Sequence, residues 1–219
     1  MITNIIFDFD GVLVDSEVLV SRAFTKYLNN AGFSFKKEEF ADFAGKKTTD
    51  VISILSNKFS IKNEKKFFDD IIHLANNIYS NELEAVNGVN NFIEKCELNL
   101  FIGSNSIKNR ILDGLKKVKL DRFFLEHQIY SFDMVQHPKP LPDIYLKTIH
   151  DNNLKKDQTL IIEDSCVGVK AGVAAGVKVI GLTAGGHWFS GRNTDELYDA
   201  GATKVISSYK ELLKIIKNY

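Results

Sequence analysis

Apolar positions along this chain follow two different periods. Asn4 to Asp8 is a short β-branched and aromatic run, stopped by a turn at Asp10-Gly11, the pattern of a buried strand. After Ser16 the spacing becomes helical. Val20, Phe24, Tyr27, Leu28 and Ala31 recur on one face, and Gly32 ends the run as a C-cap would. Val51, Ile52, Leu55 and Phe59 form a second stripe, and Phe68, Ile71, Ile72, Ala75, Ile78 and Tyr79 a longer third one. Residues 16 to 84 thus predict several amphipathic helices and no strand.

Beyond Val86-Asn87-Gly88 short apolar runs return. LNLFIG (98–103), TLIIE (159–163), VKVIGL (177–182) and TKVIS (203–207) alternate with helical stretches, which argues for crossover units and a parallel sheet. The first strand needs partners, and the nearest candidates follow residue 98. The predicted fold is therefore α/β: a Rossmann-like parallel-sheet core of residues 1–15 and 86–219, interrupted by an all-helical domain at 16–85. Hinges are expected near 13–17 and 84–88. Asp15 and Ser16 read as caps of the first inserted helix. Gly168, Gly172 and Gly176 share one helical face and predict close helix–sheet packing. Residues 185–202, polar and Gly-rich, fit a loop as well as a short helix.

Composition narrows the function classes. Hydrophobic residues make up 44% and charged residues 26%, ordinary for a soluble globular chain of 219 residues. Lys+Arg and Asp+Glu are both 28, so no basic excess points to nucleic acid. No apolar segment reaches the length needed to cross a bilayer, and Asp8 breaks the N-terminal run too early for a signal peptide. A cytoplasmic protein is expected, without nucleic-acid or membrane partners, as a monomer or weak homodimer. Cys96 and Cys166 are too far apart in sequence for a metal knuckle and read as buried free thiols.

The chemistry is expected where parallel strands end, because ligands of open α/β sheets sit beyond the carboxyl edge. The first strand delivers Asp8 and Asp10 there. LNLFIG delivers Gly103, Ser104 and Asn105 at a helix start, and TLIIE delivers Glu163, Asp164 and Ser165 before another. The only three prolines, at 138, 140 and 142, bracket Lys139 and stiffen its approach. Four carboxylates and one ammonium fit a divalent cation and a phosphate. Oxygen ligands suit Mg²⁺, and the cation with Lys139 would offset phosphate charge while Asp8 attacks in line. Ser104 and the amides of its helix start would hold the remaining phosphate oxygens.

DFDGVLVDS, GSN, KPLPDIY and IEDSCVGVKAG, in that order, resemble the four motifs of the haloacid dehalogenase superfamily. The resemblance spans nearly the whole chain. It is to the β-phosphoglucomutase and phosphoglycolate phosphatase-like subgroup, with a helical cap inserted after the first motif. It implies Asp8 as nucleophile, Asp10 as general acid/base, and phosphate binding by Ser104, Asn105 and Lys139. It further implies Mg²⁺ on Asp8, the main-chain carbonyl of Asp10 and Asp164, with Glu163 in or beside that shell. DSEVLVSRAF, GKKTTD and TAGGHW look most like sugar-phosphate and 6-phosphogluconate phosphatases. The expected function is thus a Mg²⁺-dependent phosphatase of a small phosphorylated metabolite.

The alternative is a phosphosugar mutase of the β-phosphoglucomutase type. That family carries a His and an Arg in its cap where Val20 and Thr48 stand here, and both departures favour the phosphatase. A non-enzymatic phospho-aspartate receiver is a remote alternative, because its motifs come in a different order. Lys46 and Lys47 lie in the expected substrate loop of the cap and are candidates for contacting an anionic or polyhydroxy substrate tail. His137 and His187 are assigned structural or loop roles, and Trp188 an exposed loop.

Overall fold

A computed structural model of the chain describes residues 1–36, 39–40, 43, 48–189 and 191–217. The chain divides into two compact units, one made of Met1–Asp15 and Glu84–Tyr219, the other of Ser16–Leu83.

The first unit is built on a parallel sheet. Among the described residues it has six strands: β1 (Asn4–Phe7), β2 (Asn99–Ser104), β3 (Ile129–Ser131), β4 (Thr159–Glu163), β5 (Lys178–Leu182) and β6 (Lys204–Ile206). Their spatial order is β3-β2-β1-β4-β5-β6. Every pairing is parallel, with Phe7 opposite both Ile102 and Ile162. From β1 the chain builds outward through β2 and β3, then returns to the other side of β1 for β4 to β6. The direction of winding therefore reverses at β1, and the carboxyl ends of β1, β2 and β4 lie together at the reversal.

Helices α4 (Val89–Glu94), α5 (Lys108–Lys117), α6 (Asp143–Asp151), α7 (Cys166–Ala174), α8 (Asp195–Asp199) and α9 (Tyr209–Lys217) belong to the same unit. A parallel sheet covered on both faces needs strands that are apolar throughout. Ile5, Ile6 and Phe7 are accordingly fully buried in succession, as are Leu160, Ile161 and Ile162.

The second unit is helical, with α1 (Glu17–Asn30), α2 (Thr48–Phe59) and α3 (Glu64–Glu82). Its core is aromatic. Phe67 is fully buried, stacks on Tyr27 at 4.9 Å and meets Phe24 edge-on at 6.0 Å. Leu28, Phe35, Val51, Ile52, Leu55 and Ile71 close around them. Among the described residues, no helix is long and apolar enough to cross a membrane.

Several local expectations are corrected. The edge strand β3 was not foreseen, since three residues are too few to show a period. In α3 it is Phe67 that is fully buried, and Ile72 is 39% exposed. Ser16 precedes α1 but makes no capping bond through its side chain, and the Asp15 carboxylate accepts from Gly186 N instead. The two cysteines are free but only half-buried. Trp188 is partly buried against the core of the first unit rather than exposed. Residues 185–202 contain both a loop and the short α8.

Of the three glycines spaced by four, Gly172 fits the packing expectation. A Cβ there would lie 2.6 Å from Val179 Cγ2 on the sheet. Gly176 instead follows the end of α7 in the left-handed region, and Gly168 faces a carboxylate described below.

Replacing Phe67 by Ala removes the ring on which Phe24 and Tyr27 both pack. It is expected to cost about 3–5 kcal/mol of local stability, read as faster amide hydrogen exchange through α1 and α3.

Candidate functional site

Asp8 directly follows β1, and its N–H still donates to Ile162 O at 2.9 Å, so the sheet ladder fixes where its side chain starts. Glu163 ends β4 and Asp164 follows it. The three carboxylates offer oxygens within 4.8 Å of one another. Glu163 is fully buried, and Asp8 and Asp164 are nearly so.

The Lys139 ammonium lies between two of these acids, 2.7 Å from Asp8 Oδ1 and 2.6 Å from Glu163 Oε1. Its side chain is only 4% exposed, and it sits 4.8 Å from the centroid of the Tyr145 ring. Burial works against the ammonium's charge, but Asp8 and Glu163 outweigh it, and the Lys139 pKa is raised.

The loop that carries Lys139 is held by Asn105. The Asn105 carboxamide accepts from Lys139 N at 2.9 Å and donates to Lys139 O at 3.2 Å, a two-point clamp on one residue's backbone. That side chain was expected on phosphate. Its amide group is instead engaged with the lysine loop.

Glu163 is saturated with donors. Oε1 accepts from Lys139 and from the Tyr145 hydroxyl at 2.6 Å, and Oε2 from Asp164 N and Ser165 Oγ, each at 3.2 Å. Ser165 also caps α7 by accepting from Gly168 N. The turn of helix beneath the carboxylate has no room for a side chain. A Cβ on Gly168 would lie 1.8 Å from Glu163 Oε1.

On the other side of the cluster, Gly11 has φ +76°, and a Cβ there would fall 1.8 Å from Asp164 Oδ2. The turn after Asp10 thus requires glycine twice, for its backbone conformation and for the carboxylate against it. Tyr209 steadies the same turn by donating to Val12 O at 2.7 Å.

Asp10 has partners of its own. Ser106 Oγ donates to its Oδ2 at 2.5 Å, and Arg110 Nη2 lies 3.2 Å from its Oδ1. Ser104 is buried at the end of β2, where its hydroxyl accepts from Ser106 N at 3.0 Å. Asp8, Lys139, Glu163 and Asp164 are thus in mutual reach, with Asp10, Ser104 and Asn105 at the same sheet edge. Lys46 and Lys47 lie outside the described residues.

Sequence reasoning missed Tyr145, Ser106, Arg110 and His187, whose Nε2 is 3.0 Å from Asp164 Oδ2. Tyr145 and Ser106 lie within or beside motifs that were already singled out. Nothing local marked Arg110, which meets Asp10 only through the fold.

Three buried carboxylates face one ammonium. Burial pushes the Asp8 and Asp164 carboxyls well above the usual range, and repulsion from Glu163 adds to both, although Lys139 pulls the other way. An all-oxygen, anionic, partly uncompensated cluster is the donor chemistry that hard divalent cations take. The residues present therefore fit such an ion.

Replacing Lys139 by Met leaves the acids uncompensated. In metal-free protein it is expected to cost about 3–5 kcal/mol, measured by urea unfolding.

Comparison with known proteins shows the family. Residues 5–182 match the family model described as haloacid dehalogenase-like hydrolase. Among curated proteins, the chain is 27% identical over 188 residues to a 6-phosphogluconate phosphatase of Escherichia coli, covering 85% of each. It is 26% identical over 218 residues to a phosphorylated carbohydrates phosphatase of Thermotoga maritima, covering 97% of each. Among solved structures, a haloacid dehalogenase-like protein from Agrobacterium tumefaciens superposes with a TM-score of 0.89 at 32% identity. That match covers 100% of this chain and 99% of the other. A HAD family hydrolase from Deinococcus radiodurans with bound phosphate and sodium has a TM-score of 0.87 at 27% identity, over 99% and 96%. The match over most of its length, and the four motifs meeting at one sheet edge, make this chain a member of the haloacid dehalogenase-like hydrolase family.

Proposed function

We propose that this chain is a phosphatase that hydrolyses a small phosphorylated carbohydrate, a sugar phosphate or phosphorylated sugar acid, through an aspartyl-phosphate on Asp8. The observation that carries the reading is the buried Asp8 carboxylate with Lys139 Nζ at 2.7 Å and Asp10 held two residues away by Ser106 and Arg110. Supporting it are the curated relatives named for sugar-phosphate substrates and the phosphate bound by the Deinococcus radiodurans hydrolase.

In the first half-reaction an Asp8 oxygen attacks phosphorus and the bond to the leaving oxygen breaks. Protonated Asp10 gives its proton to that oxygen, so an alcohol departs rather than an alkoxide. Arg110 then faces the charge that Asp10 has acquired. In the second half-reaction Asp10 takes a proton from water as the water oxygen attacks phosphorus. The bond to Asp8 breaks, inorganic phosphate leaves, and both acids return to their starting states.

Lys139, the Ser104 hydroxyl and the main-chain N–H of Asn105 would hold the non-reacting phosphate oxygens. Asp8, Asp164 and the main-chain carbonyl of Asp10 would hold Mg²⁺. Bound there, the cation supplies Lewis-acid charge that lets a phosphate dianion approach Asp8. Glu163 supports this set from behind. The four lone-pair sites of its carboxylate are already matched by four protein donors. The helical unit, Ser16–Leu83, is the segment to which we assign the role of cap and the choice of substrate.

Phosphate release across a panel of sugar phosphates and phosphorylated sugar acids tests the reading. Activity is expected to vanish with a chelator, to return with Mg²⁺, and to be absent in Asp8→Asn. Metal-independent turnover or an active Asp8→Asn would reject the mechanism. Isomerised sugar phosphate without free phosphate would instead make the chain a mutase.

Asn105→Ala frees the lysine loop. Since misplacing a catalytic group by about 1 Å can cost about 10²-fold, kcat is expected to fall by about that factor with little change in Mg²⁺ requirement.

A further inference from the structure

We infer that His187 is a positioning residue for Asp164, donating a hydrogen bond that fixes the carboxylate in the orientation needed to hold a divalent cation. The inference rests on the proposed reading of Asp164 as a cation ligand.

The geometry is specific. His187 Nε2 lies 3.0 Å from Asp164 Oδ2, and the two side chains are only 15% and 5% exposed. To hold a cation Asp164 must be ionised, and an ionised carboxylate can only accept, so the inference places the hydrogen of this contact on Nε2. The neutral ring suffices. The imidazole also packs against the Asp10-Gly11 turn, since a Cβ on Gly11 would meet its Cε1 at 3.1 Å. His187 therefore touches both a proposed ligand and the backbone that carries another.

The loop bearing His187 is fixed at both ends and in its middle. Thr183 N donates to Ile206 O at 2.9 Å, tying the loop's start to β6. Gly186 N donates to Asp15 Oδ1 at 2.9 Å, a contact 171 residues away in sequence. After the histidine, Arg192 stacks on the Trp188 ring at 3.8 Å, reaches His187 O at 3.4 Å and is paired with Glu196 at 2.9 Å. Gly185 lets the loop approach, because a Cβ there would lie 2.9 Å from both Gly11 O and His187 Cε1. A side chain anchored this way loses little further freedom when it orients a partner, and such outer hydrogen bonds commonly change metal affinity 10–100-fold. The contact would act on Asp164 rather than on substrate.

The test is Mn²⁺ binding to the full-length protein without substrate, followed by electron paramagnetic resonance, in wild type, His187→Phe, His187→Gln and Asp164→Asn. Phe keeps a ring and removes the donor, whereas Gln restores an N–H at similar reach. The expected result is a dissociation constant about 10–100-fold higher in His187→Phe, largely recovered in His187→Gln, with metal-free melting temperatures of both near that of wild type. Binding lost in Asp164→Asn but within twofold of wild type in His187→Phe would overturn the inference alone. So would equal weakening in the Phe and Gln variants. If wild type takes up no Mn²⁺, or if Asp164→Asn binds as well as wild type, the ligand reading itself fails and this inference with it.

Discussion

Everything at the carboxyl edge of this sheet is arranged around the repulsion of acids that have been taken out of water. Asp8, Glu163 and Asp164 are buried within reach of one another, and a single ammonium, that of Lys139, stands between two of them. Like charges in a medium of low polarisability are costly, and the cost falls only if donors are aimed at every oxygen. The rest of the site reads as a response to that requirement. Asn105 grips the backbone of the lysine, Tyr145 and Ser165 complete the shell of Glu163, and glycines stand wherever a side chain would collide with a carboxylate.

The sheet makes this crowding possible. Parallel strands end at a common edge, and reversal of winding at β1 places the ends of β1, β2 and β4 side by side. Segments distant in sequence thereby each contribute a few groups, and no single segment has to hold the repelling charges by itself. Ladder hydrogen bonds such as Asp8 N to Ile162 O tie the acid-bearing residues to the most deeply buried part of the core. The proposed nucleophile is therefore as rigid as the sheet.

Much of this was legible in the residues. The acids that close the first and fourth strands, and the lysine set among the only prolines, are local patterns with local causes. Their convergence followed from the rule that parallel sheets bind at their carboxyl ends. What was not legible depends on distance in sequence. Asn105 read as a phosphate ligand because its motif lies at a helix start, yet its carboxamide is engaged 34 residues away on Lys139. His187 and Trp188 looked like loop residues because the partners that fix their place, Asp164 after β4 and the core of the first unit, are distant in sequence. Gly168, Gly172 and Gly176 shared one spacing and one expected cause. The fold gives them three: room for a carboxylate, contact with a strand, and the end of a helix. Periodicity reports which face a residue is on, but not what waits there.

The pairing of Gly168 with Glu163 also constrains how such a chain can change over time. Any side chain at 168 would occupy the place of the Glu163 carboxylate, so a substitution there is tolerable only after position 163 has shortened or turned away. Shortening 163 first would strand the Tyr145 hydroxyl and loosen Lys139. Either order passes through an impaired intermediate. The two positions are thus locked in a valley of sign-dependent epistasis, and drift in this family member is expected to pass around them rather than through them.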